Sequence, residues 1–104
     1  MLIQINTDHN IEGSEAMNTH FTETLNDMLS RFDEHITRLE VHLKDVNGSK
    51  DVGNDKHCAI EARLKGLNPM LVTAEASEVH RAVKAAGEKL KVLLDKTLQS
   101  RNGR

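Results

Sequence analysis

The sequence has almost no aromatic residues: two phenylalanines and neither tryptophan nor tyrosine among 104 residues. Proteins that hold single-stranded bases use exposed aromatic rings as stacking platforms. Phe21 and Phe32 both fall on an apolar stripe with helical spacing, so we expect them in the core. The composition therefore argues against base stacking, and we expect any binding to nucleic acid to rely mainly on shape and phosphates.

Cysteine and long apolar runs are also scarce. The single Cys58 cannot form an intramolecular disulfide, and its place in an apolar alternation indicates a small buried side chain rather than a nucleophile. No stretch approaches the roughly 20 apolar residues of a membrane span, and the start, MLIQINTDHN, lacks the charged and apolar regions of a signal peptide. We therefore expect a cytoplasmic protein with no membrane partner.

Catalytic and metal-binding motifs are not apparent either. The sequence has no Gly-rich phosphate loop, no Ser-His-Asp arrangement and no convincing carboxylate pair, so we expect no catalytic residue, cofactor or small-molecule substrate. His42 and His57 flank one predicted hairpin, but neither belongs to a recognisable ligand spacing. The loop between them offers Asp and Asn oxygens, yet Lys56 stands where a calcium loop needs an acid. These patterns predict neither an enzyme nor a metalloprotein.

The net charge is small, −2, but its distribution is uneven. Residues 1–50 hold four basic and nine acidic side chains, whereas residues 51–104 hold ten basic and seven acidic ones. A weak net charge argues against indiscriminate binding to nucleic acid. The asymmetry permits one basic face, because the local potential matters more than the total.

Hydrophobic periodicity predicts the order β-α-β-β-β-α in a single domain over residues 1–104, with a flexible tail from about residue 100. The predicted strands are 2–6, 37–44, 58–65 and 70–76, with a turn-rich loop at 45–55 whose tip is expected to be mobile and a turn at 66–69. The first helix follows a Ser14 cap and continues to Phe32, and the second begins at Ser77. We expect an α+β fold in which two helices cover one face of a four-stranded sheet.

The second predicted helix carries basic residues on two flanks of its apolar stripe. On one flank, Lys84 and Lys91 alternate with Glu88 and Asp95 at helical spacing. Such rows stabilise a helix through ion pairs between successive turns. Pairing within the helix is therefore the preferred interpretation of Lys84 and Lys91, and contact with RNA is the alternative.

The other flank carries Arg81, Lys89 and Lys96, and its only acid is Glu78 in the first turn. Lysines seven residues apart, without acids between them on that flank, suit successive phosphates of RNA. For Lys89 and Lys96, contact with RNA and a merely solvated face remain equally open interpretations.

Further candidates lie outside these flanks. Arg38, Arg63 and Lys65 are predicted on the open face of the sheet, where cross-strand pairing with Glu40 and Glu61 and contact with RNA are both open. His80 can bind a phosphate or a base, but packing at the edge between helix and sheet is the preferred interpretation. Arg101 lies in the predicted tail and can add a phosphate contact.

The run TAEASEVHRAVKAAGEKLKVLLDK resembles the ribosome hibernation-promoting factor family, which includes the ribosome-associated translation inhibitors. The matching positions are Ala74-Glu75, Glu78-Val79-His80 and Lys89-Leu90. The resemblance implies a fold like that of double-stranded-RNA-binding domains and no catalysis. It also implies binding to the rRNA of the small ribosomal subunit, across the mRNA and tRNA channel, under stress or in stationary phase.

Two departures from the family pattern support other functions. His80 stands in the place of the usual tyrosine, and the first predicted helix is acidic. One alternative is therefore a protein-interaction module that keeps the fold without binding ribosomes. A weaker alternative, which rests on the related fold and not on these departures, is general binding to double-stranded RNA.

Overall fold

The structure, a computed structural model, describes residues 1–8, 11, 13–46 and 55–102, and of 100–102 only the backbone. The elements, in chain order, are β1 (Leu2–Thr7), α1 (Glu15–Met28), a 3-10 turn (Ser30–Phe32), β2 (Ile36–Asp45), β3 (Lys56–Leu64), β4 (Leu67–Ala76) and α2 (Val79–Asn102). The predicted order of strands and helices is thus confirmed. The tip of the predicted loop at 45–55 lies outside the described residues.

The four strands form one mixed sheet in the order β1-β2-β3-β4. β1 runs parallel to β2, and the other neighbours are antiparallel. Alternate side chains from the sheet, including Leu39, Val41 and Ile60, are fully buried under the two helices. The opposite face is open, as the alternation in the sequence predicts.

α1 begins where the sequence supplies a cap. The Ser14 hydroxyl accepts a hydrogen bond from the backbone N–H of Met17 at 3.0 Å, which satisfies one of the free donors at the helix start. The apolar periodicity predicts a helix as far as Phe32, but α1 ends at Met28 and a 3-10 turn follows. Phe32 is buried all the same, since the tighter turn still directs it into the core.

The hairpin between β3 and β4 is tighter than the sequence predicts. The expected turn at 66–69 is wrong in extent, because only Lys65 and Gly66 form the turn and β4 begins at Leu67. Gly66 has a φ of 71°, a conformation that glycine adopts without strain. Pro69 therefore lies inside β4, which it can do because β4 is an edge strand.

α2 packs on β3 and β4 and lies beside α1. Its buried residues are Ala82, Val83, Ala86, Gly87, Leu90 and Leu94. Val83, Ala86, Leu90 and Leu94 recur at the three-to-four spacing that the sequence predicts for the buried face, and Ala82 and Gly87 extend it. The two helices run in the same direction, because contacts between them follow both sequences in order. His80 lies against His20, Gly87 against Met28, and Asp95 against Arg31. The helix continues to Asn102, into the segment where the sequence predicts a flexible tail.

Gly87 allows α1 and α2 to approach closely. A Cβ at this position would lie 2.9 Å from Cε of Met28 and 3.2 Å from Cδ2 of Leu25. We expect Gly87→Val to lower the free energy of unfolding by about 1–3 kcal/mol through overpacking. Gly87→Ala is the control: its clash is smaller, and it gains about 1 kcal/mol of helix propensity. Urea denaturation measures both variants, and equal stability of Gly87→Val and the wild type would contradict this account.

Candidate nucleic-acid interface

The outward side of α2 carries a set of cations that we call the α2 basic surface. Its members are Arg81, Lys84, Lys89, Lys91 and Lys96. Lys91 is half-buried and the other four are exposed. All lie away from the buried stripe, because the apolar residues of α2 face the sheet and α1.

Lys84 and Lys91 are not neutralised in the way that the sequence suggests. Asp95 forms its ion pair with Arg31, at 2.6 Å, rather than with Lys91. Within the described residues, neither lysine has an ion pair shorter than 4.0 Å. The expected row of ion pairs along α2 is therefore wrong among the described residues. For Asp95 the reason is that the parallel packing of the helices brings Arg31 within reach.

The positive charge on the second flank of α2 is only partly neutralised by acidic side chains. Arg81 pairs with Glu78 at 3.2 Å, an exposed contact between residues three apart on the helix. Lys96 forms no ion pair with any described residue. Lys89 is held by a neutral acceptor, since its ammonium donates to the carbonyl oxygen of Thr73 at 2.7 Å. A carbonyl leaves the positive charge of Lys89 in place.

The contact between Lys89 and Thr73 fixes where this charge lies. β4 is an edge strand, so its outer carbonyl groups have no neighbouring strand to pair with. Lys89 reaches from α2 to one of these carbonyls and is thereby held beside the sheet edge. An ammonium has three N–H donors, so two remain for a phosphate.

The open face of the sheet carries balanced charges. Arg38 lies 3.1 Å from a carboxylate oxygen of Glu40, and Arg63 lies 3.8 Å from one of Glu61. Cross-strand pairing with Glu40 and Glu61 is one of the two open interpretations from the sequence, but each observed pair lies along a single strand. The register explains this correction: Arg38 is opposite Arg63 and Glu40 is opposite Glu61. Like charges directly opposite each other repel, so each arginine is neutralised by the acid two residues away.

The remaining candidates are dispersed. Lys65 is predicted on the open sheet face, but β3 ends at Leu64, so Lys65 lies exposed in the turn between β3 and β4 instead, and no described acid pairs with it. His80 packs against the His20 ring of α1, with ring centroids 5.7 Å apart, so the expected packing against the sheet edge is wrong. The parallel arrangement of the helices brings these two rings together. The side chain of Arg101 lies outside the described residues.

The helical layer is electrically divided, which the sequence by itself does not show. On α1, Glu15, Glu23 and Asp27 are exposed, and none of them forms an ion pair with a described residue. These acids lie on the helix that packs against α2, which carries the basic surface. Only the packing of the two helices brings the acidic helix and the basic helix into one layer.

The histidines and the cysteine do not form a catalytic or metal centre among the described residues. No three His, Cys, Asp or Glu side chains there are grouped so that they could hold a metal ion. His57 instead pairs with Glu75 across strands at 3.3 Å. Burial raises the pKa of the Cys58 thiol to about 12, so the thiol stays protonated and unreactive near neutral pH. Neither described helix is both long and apolar enough to cross a bilayer.

Two solved structures have this fold. A ribosomal subunit interface protein from Coxiella burnetii has a TM-score of 0.74 and 20% identity, over 93% of this chain and 97% of that one. The N-terminal domain of Protein Y from Thermus thermophilus has a TM-score of 0.74 and 18% identity, over 93% and 99%. No curated protein matches the chain.

The family comparison covers nearly the whole chain. A family model described as sigma 54 modulation protein / S30EA ribosomal protein matches residues 3–102. This match bears out the resemblance to ribosome hibernation factors that the segment from Thr73 to Lys96 carries, and it extends over both helices and all four strands. The chain therefore belongs to the sigma 54 modulation protein / S30EA ribosomal protein family.

Proposed function

We propose that this protein is a ribosome hibernation factor that binds the small ribosomal subunit and occupies the channel for mRNA and tRNA. The observation that carries the proposal is the α2 basic surface, on which Lys84, Lys89, Lys91 and Lys96 have no acid paired with them among the described residues. The family membership and the name of the similar Coxiella protein, a ribosomal subunit interface protein, support it. In this proposal the protein works in the cytoplasm under stress or in stationary phase.

The physical basis of binding is phosphate neutralisation. Each phosphate contact releases a condensed counterion, so affinity falls as salt rises. The α2 basic surface suits this contact better than the open sheet face, because Arg38 and Arg63 already have carboxylates beside them. An unpaired lysine also loses no ion pair when it turns to a phosphate.

Inhibition by occupancy requires no chemistry from the protein. A domain with an extent of 50 Å along its longest axis can block a channel sterically. Specificity then comes from fit to the folded rRNA, since the scarce aromatic residues are core residues and offer no stacking platform. This account assigns no catalytic residue and no cofactor.

Co-sedimentation with ribosomal subunits on sucrose gradients, across a salt series, tests the proposal. We expect association with the small subunit or the intact ribosome at low salt, and a steep loss of association as salt rises. Absence of association even at low salt would overturn the proposal. Binding to naked duplex RNA with equal affinity would instead indicate a general double-stranded RNA-binding protein.

A second candidate function is protein interaction through α1. The exposed acids Glu15, Glu23 and Asp27 favour it, because they would repel rRNA and attract a basic protein surface. A pull-down treated with RNase distinguishes the two functions. Recovery of one protein in stoichiometric amounts after RNase treatment, without ribosomal subunits, would support this alternative.

A further inference from the structure

The contact between His20 and His80 has no role in the proposed binding to rRNA. The two imidazoles lie on neighbouring parallel helices, with ring centroids 5.7 Å apart and ring planes inclined by 27°. Both residues are exposed. Neither imidazole forms a hydrogen bond or an ion pair with a described residue, although the His20 ring also lies 5.5 Å from the Phe21 ring.

This spacing is close to that of two imidazoles on one metal ion. With metal–nitrogen bonds of about 2.0–2.1 Å and tetrahedral geometry, the two ring centres are about 5 Å apart. The two rings are stacked in the structure, so binding requires each exposed imidazole to rotate about its side-chain bonds until one ring nitrogen of each faces the ion. From this geometry we infer that His20 and His80 form a two-histidine site for a divalent transition metal ion, with Cu²⁺ and Zn²⁺ as the best-suited ions.

The surroundings define how strong this site is. Within the described residues no third His, Cys, Asp or Glu completes a ligand group, so water fills the other coordination positions. Glu23 lies one turn after His20 and favours a cation, whereas Lys84 lies one turn after His80 and opposes it. The site therefore binds more weakly than a four-ligand structural zinc site, and it prefers Cu²⁺ over Zn²⁺.

Metal binding joins α1 and α2 near their N-terminal ends. His80 lies in the first turn of α2, and His20 lies in the second turn of α1. A metal that binds only this folded pair stabilises the fold by linkage.

Titration of the untagged protein with Cu²⁺ and, separately, with Zn²⁺ tests the site by calorimetry and by thermal unfolding. We expect one ion per chain and a higher Tm with metal. His20→Ala and His80→Ala should each weaken binding by at least about tenfold, since even the loss of a group supporting a ligand costs that much. The matched control is His42→Ala, which removes an exposed histidine on the open sheet face and should leave the affinity unchanged.

Two further measurements make the result decisive. Lys84→Ala should raise the affinity, because it removes a positive charge near the ion. The electron paramagnetic resonance spectrum of the Cu²⁺ complex should show two imidazole nitrogens, and only one in either single variant. Unchanged binding in both His20→Ala and His80→Ala, or an equal loss in His42→Ala, would overturn the inference.

Discussion

Replacement of both Lys89 and Lys96 by alanine is expected to weaken ribosome binding by about tenfold or more at about 0.1 M salt. The reason is that we propose each lysine to neutralise one phosphate, and neither charge is cancelled by a described acid. The slope of log affinity against log salt should become shallower by about 1.4–1.8. Co-sedimentation of the variant across the same salt series measures both quantities.

A matched control removes the same amount of charge from the other face of the sheet. Arg38→Ala combined with Arg63→Ala also deletes two cations, but these two have carboxylates beside them. We expect a much smaller change in affinity and slope. Equal losses in the two double variants would mean that overall charge, and not the α2 basic surface, determines binding.

A separate double variant tests whether the flank of α2 that carries Lys84 and Lys91 contributes to binding. Because Asp95 pairs with Arg31, Lys84 and Lys91 are also available to phosphates. The double variant Lys84→Ala with Lys91→Ala shows whether rRNA covers both flanks of α2 or only the flank beside β4. Wild-type binding by this variant would restrict the interface to Lys89 and Lys96.

The second prediction with a large expected effect concerns the stability of the hydrophobic core under α2. Leu90 has a relative exposure of 0% and belongs to the cluster between α2 and the sheet. We expect Leu90→Ala to lower the free energy of unfolding by about 2–5 kcal/mol, because it removes buried methyl groups and leaves a cavity. For a domain of this size, that loss lowers the Tm by about 10 °C or more. Urea and thermal unfolding measure it.

Val92 provides the control within the same helix. It is 54% exposed, so Val92→Ala should change the stability by no more than about 0.5 kcal/mol. Similar losses in the two variants would contradict the orientation of α2 on the sheet. That result would also remove the basis for placing Lys89 and Lys96 on the outside.

The sequence predicts the location of the core but not every boundary. Leu25, Leu39 and Leu90 are buried as their spacing indicates, because side chains on one face of a helix or strand recur with a fixed period. The turn at 66–69 is predicted too long, since Gly66 closes the hairpin in two residues and Pro69 fits the edge of the sheet. The sequence does not show which strand lies at the edge of the sheet. The expectation that proline interrupts a strand therefore places the start of β4 too late.

In the candidate site, too, some features follow from local sequence spacing and others only from the tertiary structure. The basic character of α2 and the positions of its lysines follow from helical spacing alone. Their ionic partners do not: Arg31 is 64 residues from Asp95, and Thr73 is 16 residues from Lys89. His20 and His80 likewise meet only because α1 and α2 run side by side.

By itself, the sequence determined the elements, the buried stripes and the uneven charge, because these properties depend on residues a few positions apart along the chain. The tertiary structure decided which charges are neutralised. It paired Asp95 with Arg31, placed Glu40 opposite Glu61, and held Lys89 at the edge of β4. Electrostatic compensation depends on distance in space, and those distances are set only when helices and strands pack together.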